Sequence, residues 1–190
     1  MRLPRLLLAL GLLSHCAPAQ LDANANTGDV SLRTAHLPAS VRHDIVAAIA
    51  KDFADEPKEF PSGRSIALGS WVSFVQLSRT GPRAILVQGG PDDPDNGATG
   101  NADMWLFRRS GDHAVLILRG GGYSFGPAEG RRTYHNGMID VQTAWNMSCC
   151  SGDVEVYRYN GTRYRPAYCH SYEVSDDGGM KSGPRVPCSN

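Results

Sequence analysis

Met104-Trp105-Leu106-Phe107-Arg108-Arg109-Ser110-Gly111-Asp112-His113-Ala114-Val115-Leu116-Ile117-Leu118 is the stretch that decides the fold. Two runs of aromatic and aliphatic residues flank Ser110-Gly111-Asp112, a trio that favours a tight reversal. The spacing is too short for the crossover that parallel strands need, so the two runs predict an antiparallel hairpin.

Strand candidates of the same kind extend in both directions: Trp71 to Leu77, Ala84 to Gln88, Asp140 to Trp145, Val154 to Tyr159 and Tyr164 to Cys169. Thr80-Gly81-Pro82, Ser151-Gly152-Asp153 and Asn160-Gly161 punctuate them as turns. Upstream, Val41, Ile45, Ile49 and Phe53 recur at four-residue steps, with Ala48 beside them and Arg42, Asp44, Lys51 and Asp52 opposite. That period predicts one amphipathic helix, capped by Ser40 and stopped before Pro57. The expected fold is α+β, one N-terminal amphipathic helix packed on a mainly antiparallel sheet of about seven short strands.

The first residues set an address. Arg2 and Arg5 precede the apolar run Leu6 to Leu13, and Ala17-Pro18-Ala19 offers the small-x-small pattern that signal peptidase accepts before Gln20. The run is shorter than the roughly 20 residues of a permanent membrane span. The expected division is a signal peptide over 1–19, a flexible mature N-terminus over 20–37, a single α+β domain over 38–174 and a loop-like tail over 175–190. Leu13-Ser14-His15-Cys16 has the outline of a lipoprotein box, but His15 is bulky where that motif holds a small residue, which favours cleavage after Ala19 over acylation of Cys16. The expected location is periplasmic or secreted.

The whole chain of 190 residues balances 19 Lys and Arg against 19 Asp and Glu. Cleavage removes Arg2 and Arg5 and no acid, leaving a small acidic excess that argues against a nucleic-acid partner. Cys149, Cys150, Cys169 and Cys188 remain, an even number that favours two disulfides in an oxidising compartment. Of the three pairings, a vicinal bridge needs unusual geometry, so one of Cys149 and Cys150 is expected to join Cys169 and the other Cys188. The spacing suits no zinc site, and neither metal nor cofactor is expected. Asn146-Met147-Ser148 and Asn160-Gly161-Thr162 are glycosylation sequons in a eukaryotic host.

Three constellations could carry chemistry. Gly122-Tyr123-Ser124-Phe125-Gly126 spells a nucleophile elbow, with Asp140 or Asp153 and then His170 in triad order. Pro127, Gly130 and Arg131-Arg132 follow where that motif requires a helix, so Gly120 to Gly126 reads as a Gly-rich loop and a Ser124 hydrolase is the alternative rather than the leading function. The acidic loop Pro91 to Gly97, with Asn101 and Asp103 beyond it, gathers oxygen ligands without the frame of an EF-hand, leaving a calcium-dependent adhesion module as a further alternative. Asp103, His135, Asp140 and Trp145 are candidate binding residues, because an aromatic ring beside a carboxylate grips sugars and peptides, and His170 could join their face.

Gly100-Asn101-Ala102-Asp103 and Gly137-Met138-Ile139-Asp140 each open a strand, a turn and a second strand, an echo that suggests a duplicated hairpin. The stretch Gly97 to Phe107, with His135-Asn136-Gly137-Met138-Ile139-Asp140 and Tyr157-Arg158-Tyr159-Asn160-Gly161-Thr162-Arg163-Tyr164, resembles a family of uncharacterised exported proteins of Gram-negative and related bacteria. Those proteins share a Gly-Asn-x-x-x-Trp strand motif and a His-Asn-Gly-x-x-Asp ending. Members often carry cysteines around the first motif, where this chain has Asp95, Asn96 and Ala102. The Gly-x-x-Asp openings also resemble FG-GAP repeats of β-propellers, though with two copies and no calcium spacing. Neither likeness implies an activity. The function expected is binding in the cell envelope or outside the cell, to a protein or an envelope glycan, as an enzyme inhibitor or an envelope-interaction protein.

Overall fold

The computed structural model describes residues 30–56, 61–94, 96, 100–148, 150–175 and 180–188. The proposed signal peptide, with Cys16 and Ala19, lies outside the described residues, as does Cys149. Helix α1 spans Ala39–Asp52 and helix α2 spans Gly63–Gly69. Eleven strands follow among the described residues.

The first four strands, β1 (Trp71–Val75), β2 (Ala84–Gln88), β3 (Ala102–Ser110) and β4 (His113–Gly122), form an antiparallel sheet in that order. The decisive hairpin is β3–β4, closed at Ser110↔His113, with a register shift between Leu106 and Phe107. The second sheet is also antiparallel and runs β11 (Met180–Ser182), β10 (Tyr164–Val174), β9 (Ser151–Tyr159), β8 (Val141–Asn146), β5 (Ser124–Pro127). A small hairpin pairs β6 (Tyr134–His135) with β7 (Met138–Ile139).

The helices, the first sheet and the second sheet make three layers. Period-two alternation explains the order. In β2 and β3, Ile85, Val87, Trp105 and Phe107 pack under the helices with Val41, Ile45, Ile49 and Ile66. Leu86, Met104 and Leu106 point the other way and meet Val141, Tyr157, Tyr159 and Phe125 of the second sheet. β2 is therefore buried along its whole length. The indole N–H of Trp105 donates to Asp52 Oδ2 at 2.7 Å, so the one polar atom of this fully buried ring ties the sheet to α1.

Several expectations change. The α+β class fits, but among the described residues there are two helices rather than one, and the strands outnumber the seven expected. The first helix begins at Ala39, after a segment in which Leu32 N–H donates to Ser70 O and Val72 N–H to Val30 O. Its N-cap is Pro38, not Ser40, whose hydroxyl donates instead to Asp112 O at 2.6 Å. Gly120 to Gly126 is not a loop. β4 runs through Gly122, Tyr123 bends the chain, and β5 begins at Ser124. Gly122 sits at φ 129°, and a Cβ there would lie 2.2 Å from Ala144 O, so the bend that passes the chain from one sheet to the other requires glycine. Ser151-Gly152-Asp153 is not a turn but the start of β9, which separates the β8–β9 hairpin from its supposed β3–β4 counterpart. The tail contains β11, and Val186 pairs with Cys169 by two backbone hydrogen bonds of 2.8 Å. Among the described residues, no helix is long and apolar enough to cross a membrane.

Candidate functional site

Residues directly opposite in an antiparallel ladder share a face. The register of β8 and β9 therefore places Val141, Thr143 and Trp145 with Tyr157, Glu155 and Asp153 on the face that looks toward the first sheet. Along this face β9 changes character, from Tyr159 and Tyr157, both buried, to Glu155 and then exposed Asp153. The opposite face keeps Val154 and Val156, which pack with Ala128, Ala144 and Tyr172. Where the tyrosines stand, the two sheets close on each other. Where the carboxylates stand, they part.

The gap is a cleft in two compartments. The first, about 540 Å³, is lined by Gly121, Thr143, Trp145, Asp153, Glu155, Cys169, His170 and Ser171, with Pro184, Val186, Pro187 and Cys188 of the tail as its wall. The second, about 490 Å³, is lined by Leu116 to Gly120 of β4, Asp103, Glu155, Tyr157 and the β10 residues Tyr164, Arg165 and Pro166, with Arg163 at its end. Glu155 lines both. Gly120 and Gly121 are the small residues at the junction: a Cβ at 120 would meet Tyr157 Oη at 3.0 Å, and one at 121 would press on the Trp145 ring.

The polar groups of the cleft are held in place. Tyr157 Oη donates to Glu155 Oε2 at 2.7 Å, and burial, reinforced by that carboxylate, pushes the phenol well above its ordinary range. Tyr157 therefore stays a donor at any physiological pH. Trp145 is 39% exposed, in contrast to fully buried Trp105. His170, opposite Val154 in the β9–β10 register, turns its ring to the other face of the sheet, where it stacks on Tyr168 with Nδ1 3.1 Å from Ser171 O.

Side chains fasten the tail wall in addition to the Val186–Cys169 backbone bonds. Cys169 and Cys188 form a disulfide with Cα atoms 5.0 Å apart, and Arg185 lies over the Tyr168 ring while pairing with Glu129. Tyr168 Oη also donates to Glu129, and these two partners hold the Glu129 carboxyl below its usual range. The expected joining of Cys149 and Cys150 to Cys169 and Cys188 is thus corrected: Cys169 and Cys188 meet each other, because Val186 pairs beside Cys169 and brings Cys188 to it. Cys150 is exposed. The Glu155 carboxylate lies within 4.8 Å of both bridge sulfurs, the geometry of a three-ligand metal group, but the sulfurs are spent on their mutual bond and offer no thiolate.

The other candidates fall elsewhere. His135 and Asp140 do come together, with Nδ1 2.7 Å from Oδ1, and Arg158 Nε is 3.5 Å from the second oxygen of this buried carboxylate. This clasp ties the β6–β7 hairpin to β9 and does not line the cleft, which takes Trp145, Asp153 and Asp103 from the sequence candidates and only borders His170, whose ring lies on the other face. Ser124, Ala144, Val154 and His170 fall in one row across the sheet, so Ser124 and His170 are three strand spacings apart, roughly 14 Å. Ser124 also opens a strand rather than a helix, so the elbow geometry is absent. In the acidic loop, Asp93 Oδ2 accepts the Asp103 N–H at 3.0 Å, and Asn101 bonds Asn146 from both ends of its amide. Residues 95 and 97–99 of that loop lie outside the described residues.

Sequence reasoning missed Thr143, Glu155, the three-glycine end of β4 and the tail wall. One signal was available: in Asp153-Val154-Glu155-Val156-Tyr157 the polar and aromatic residues alternate with valines that need a core of their own. No family model, no curated protein and no solved structure matches this chain.

Proposed function

We propose that this is an exported protein that works by binding, with the cleft as its ligand surface and the cell envelope or extracellular space as its place of action. The observation that carries this reading is the half-open Trp145 ring set beside Asp153, Glu155 and Thr143 in a walled cavity. An aromatic platform with fixed polar groups is the usual construction of a small-ligand, sugar or peptide site. The Cys169–Cys188 bridge supports the extracytoplasmic address, since such bridges persist where thiols are oxidised. The likeness to exported bacterial proteins agrees with it but adds no ligand.

A serine hydrolase is disfavoured by the separation of Ser124 from His170. The test combines two measurements. Tryptophan fluorescence is screened against soluble envelope glycan fragments and a peptide library, with Trp145→Phe as control; a response present in the native protein and lost in the variant is expected. A fluorophosphonate probe is expected to leave the protein unlabelled. Labelling that disappears in Ser124→Ala, or ligands whose binding ignores Trp145→Phe, would overturn the binding reading.

A further inference from the structure

We infer that the first compartment of the cleft takes an organic cation, a guanidinium or primary ammonium group seated on the Trp145 ring beside Asp153 and Glu155. This rests on the cleft being the ligand surface and names the class of ligand it takes. Trp145 stands opposite Asp153 in the β8–β9 register, and the next pair on the same face is Thr143 with Glu155. The ring belongs to none of the three core clusters and packs against Gly121, so its remaining surface is offered to a ligand rather than spent on the fold. A compartment of about 540 Å³ has room for one Lys or Arg side chain or a small free amine.

The hydrogen-bonding groups around the ring decide the ligand's chemistry. Asp153 is exposed and makes no side-chain hydrogen bond or ion pair among the described residues, and Glu155 accepts from Tyr157 through Oε2, which leaves Oε1 as an acceptor. The Thr143 hydroxyl is engaged by Tyr157. In the tail wall Pro184 and Pro187 have no N–H, and the Val186 N–H is donated to Cys169 O at 2.8 Å. His170 turns its ring to the opposite face, and among the described residues no Lys or Arg lines the compartment. Two carboxylates therefore stand against two neutral side-chain donors, the Ser171 hydroxyl and the Trp145 indole N–H.

A guanidinium carries five N–H donors and an ammonium three, with no acceptor on either, so both match a wall of carboxylates. The face of a Trp ring is the best side-chain platform for such a cation. An anion would meet two like charges, and a sugar would bring acceptors that this wall cannot pair. The neighbouring arginines do not fill the place. Arg119, in the second compartment, pairs with Asp52 at 3.3 Å, and Arg163 at the end of that compartment makes no ion pair with Asp153 or Glu155.

The experiment titrates the purified protein at low ionic strength, by calorimetry and Trp emission, with acetyl-Gly-Arg-Gly-amide, with its Lys, citrulline and Glu counterparts, and with agmatine. The Arg and Lys peptides are expected to bind and to quench Trp145. The uncharged citrulline peptide should bind roughly tenfold more weakly, and the Glu peptide should not bind. Asp153→Asn, whose exposed side chain leaves the fold intact, should weaken the Arg peptide roughly tenfold, and Trp145→Phe should remove the emission response. Agmatine binding as tightly as the Arg peptide assigns the site to free amines, and tighter binding of the peptide assigns it to a partner's side chain; both accord with a cation site. Equal binding of the citrulline peptide, preference for the Glu peptide, or an affinity unchanged in Asp153→Asn would each overturn it. If no cation binds while glycan fragments or uncharged peptides still quench Trp145, the cation site falls and the cleft reading stands; if nothing quenches Trp145, both fall.

Discussion

The inner faces of the two sheets offer a direct comparison. At one end Leu86, Met104 and Leu106 press on Val141, Tyr157 and Tyr159; at the other, Gly120 and Gly121 face Thr143, Glu155 and Trp145. The same strands build both ends. The difference is side-chain volume and polarity: large apolar groups on both sheets close the gap, while glycines opposite carboxylates leave it open. A protein that only needed a core would have continued the tyrosines of β9 by another two residues. The open end is where the fold gives up burial, so it is where function is expected.

Breaking the closed end should give the largest effect. Leu106→Ala is expected to cost about 3 kcal/mol in urea unfolding, because Leu106 is fully buried between sheets that cannot collapse independently. A cost below that of an exposed substitution would mean that the two sheets do not share a core. Next, Gly122→Ala should cost about 2 kcal/mol, combining a left-handed φ with a clash against Ala144 O at the bend between sheets. Circular dichroism melts of the two variants side by side would show both losses.

At the open end, Trp145→Ala and Glu155→Gln should each change stability by less than about 1 kcal/mol while removing ligand response. That dissociation of stability from binding sharpens the comparison more than either loss alone. The smallest effect concerns the wall. The folded-state pKa of Glu129 is depressed by Tyr168 and Arg185, so its contribution is present above the ordinary carboxylate range and is lost as pH falls through the lower folded value. The protection of the Gly183 and Val186 amides, taken relative to their intrinsic exchange rates at each pH, should therefore fall on acidification, and Glu129→Gln should remove that fall.

Local chemistry made much of this visible in the sequence. The β3–β4 hairpin, β2, β8, β9 and β10, the α1 stripe and the class all follow from periods of two and 3.6. The elements that escaped depend on distant partners. α2 is too short to show a period, although Ser62 does cap it. β5 looked like part of a loop because its Gly-rich approach is read locally as flexible, whereas Ala144 and Thr143 pair with it from across the chain. For the site, Trp145 and Asp103 were legible as residue types, but not their position on one cleft, which the register sets. The His135–Asp140 pair was legible too, yet its role is to fasten a hairpin. The tail wall could not be read, since it depends on Cys188 finding Cys169 rather than an upstream cysteine.

Amide NMR titration with the ligand that most strongly quenches Trp145 tests the central claim most directly. Perturbations concentrated at Gly120, Gly121, Trp145, Glu155 and Ser171 are predicted, with the helical layer silent. Shifts centred on α1 and α2, or around Ser124 and the His135–Asp140 clasp, would contradict the assignment of the cleft as the working surface.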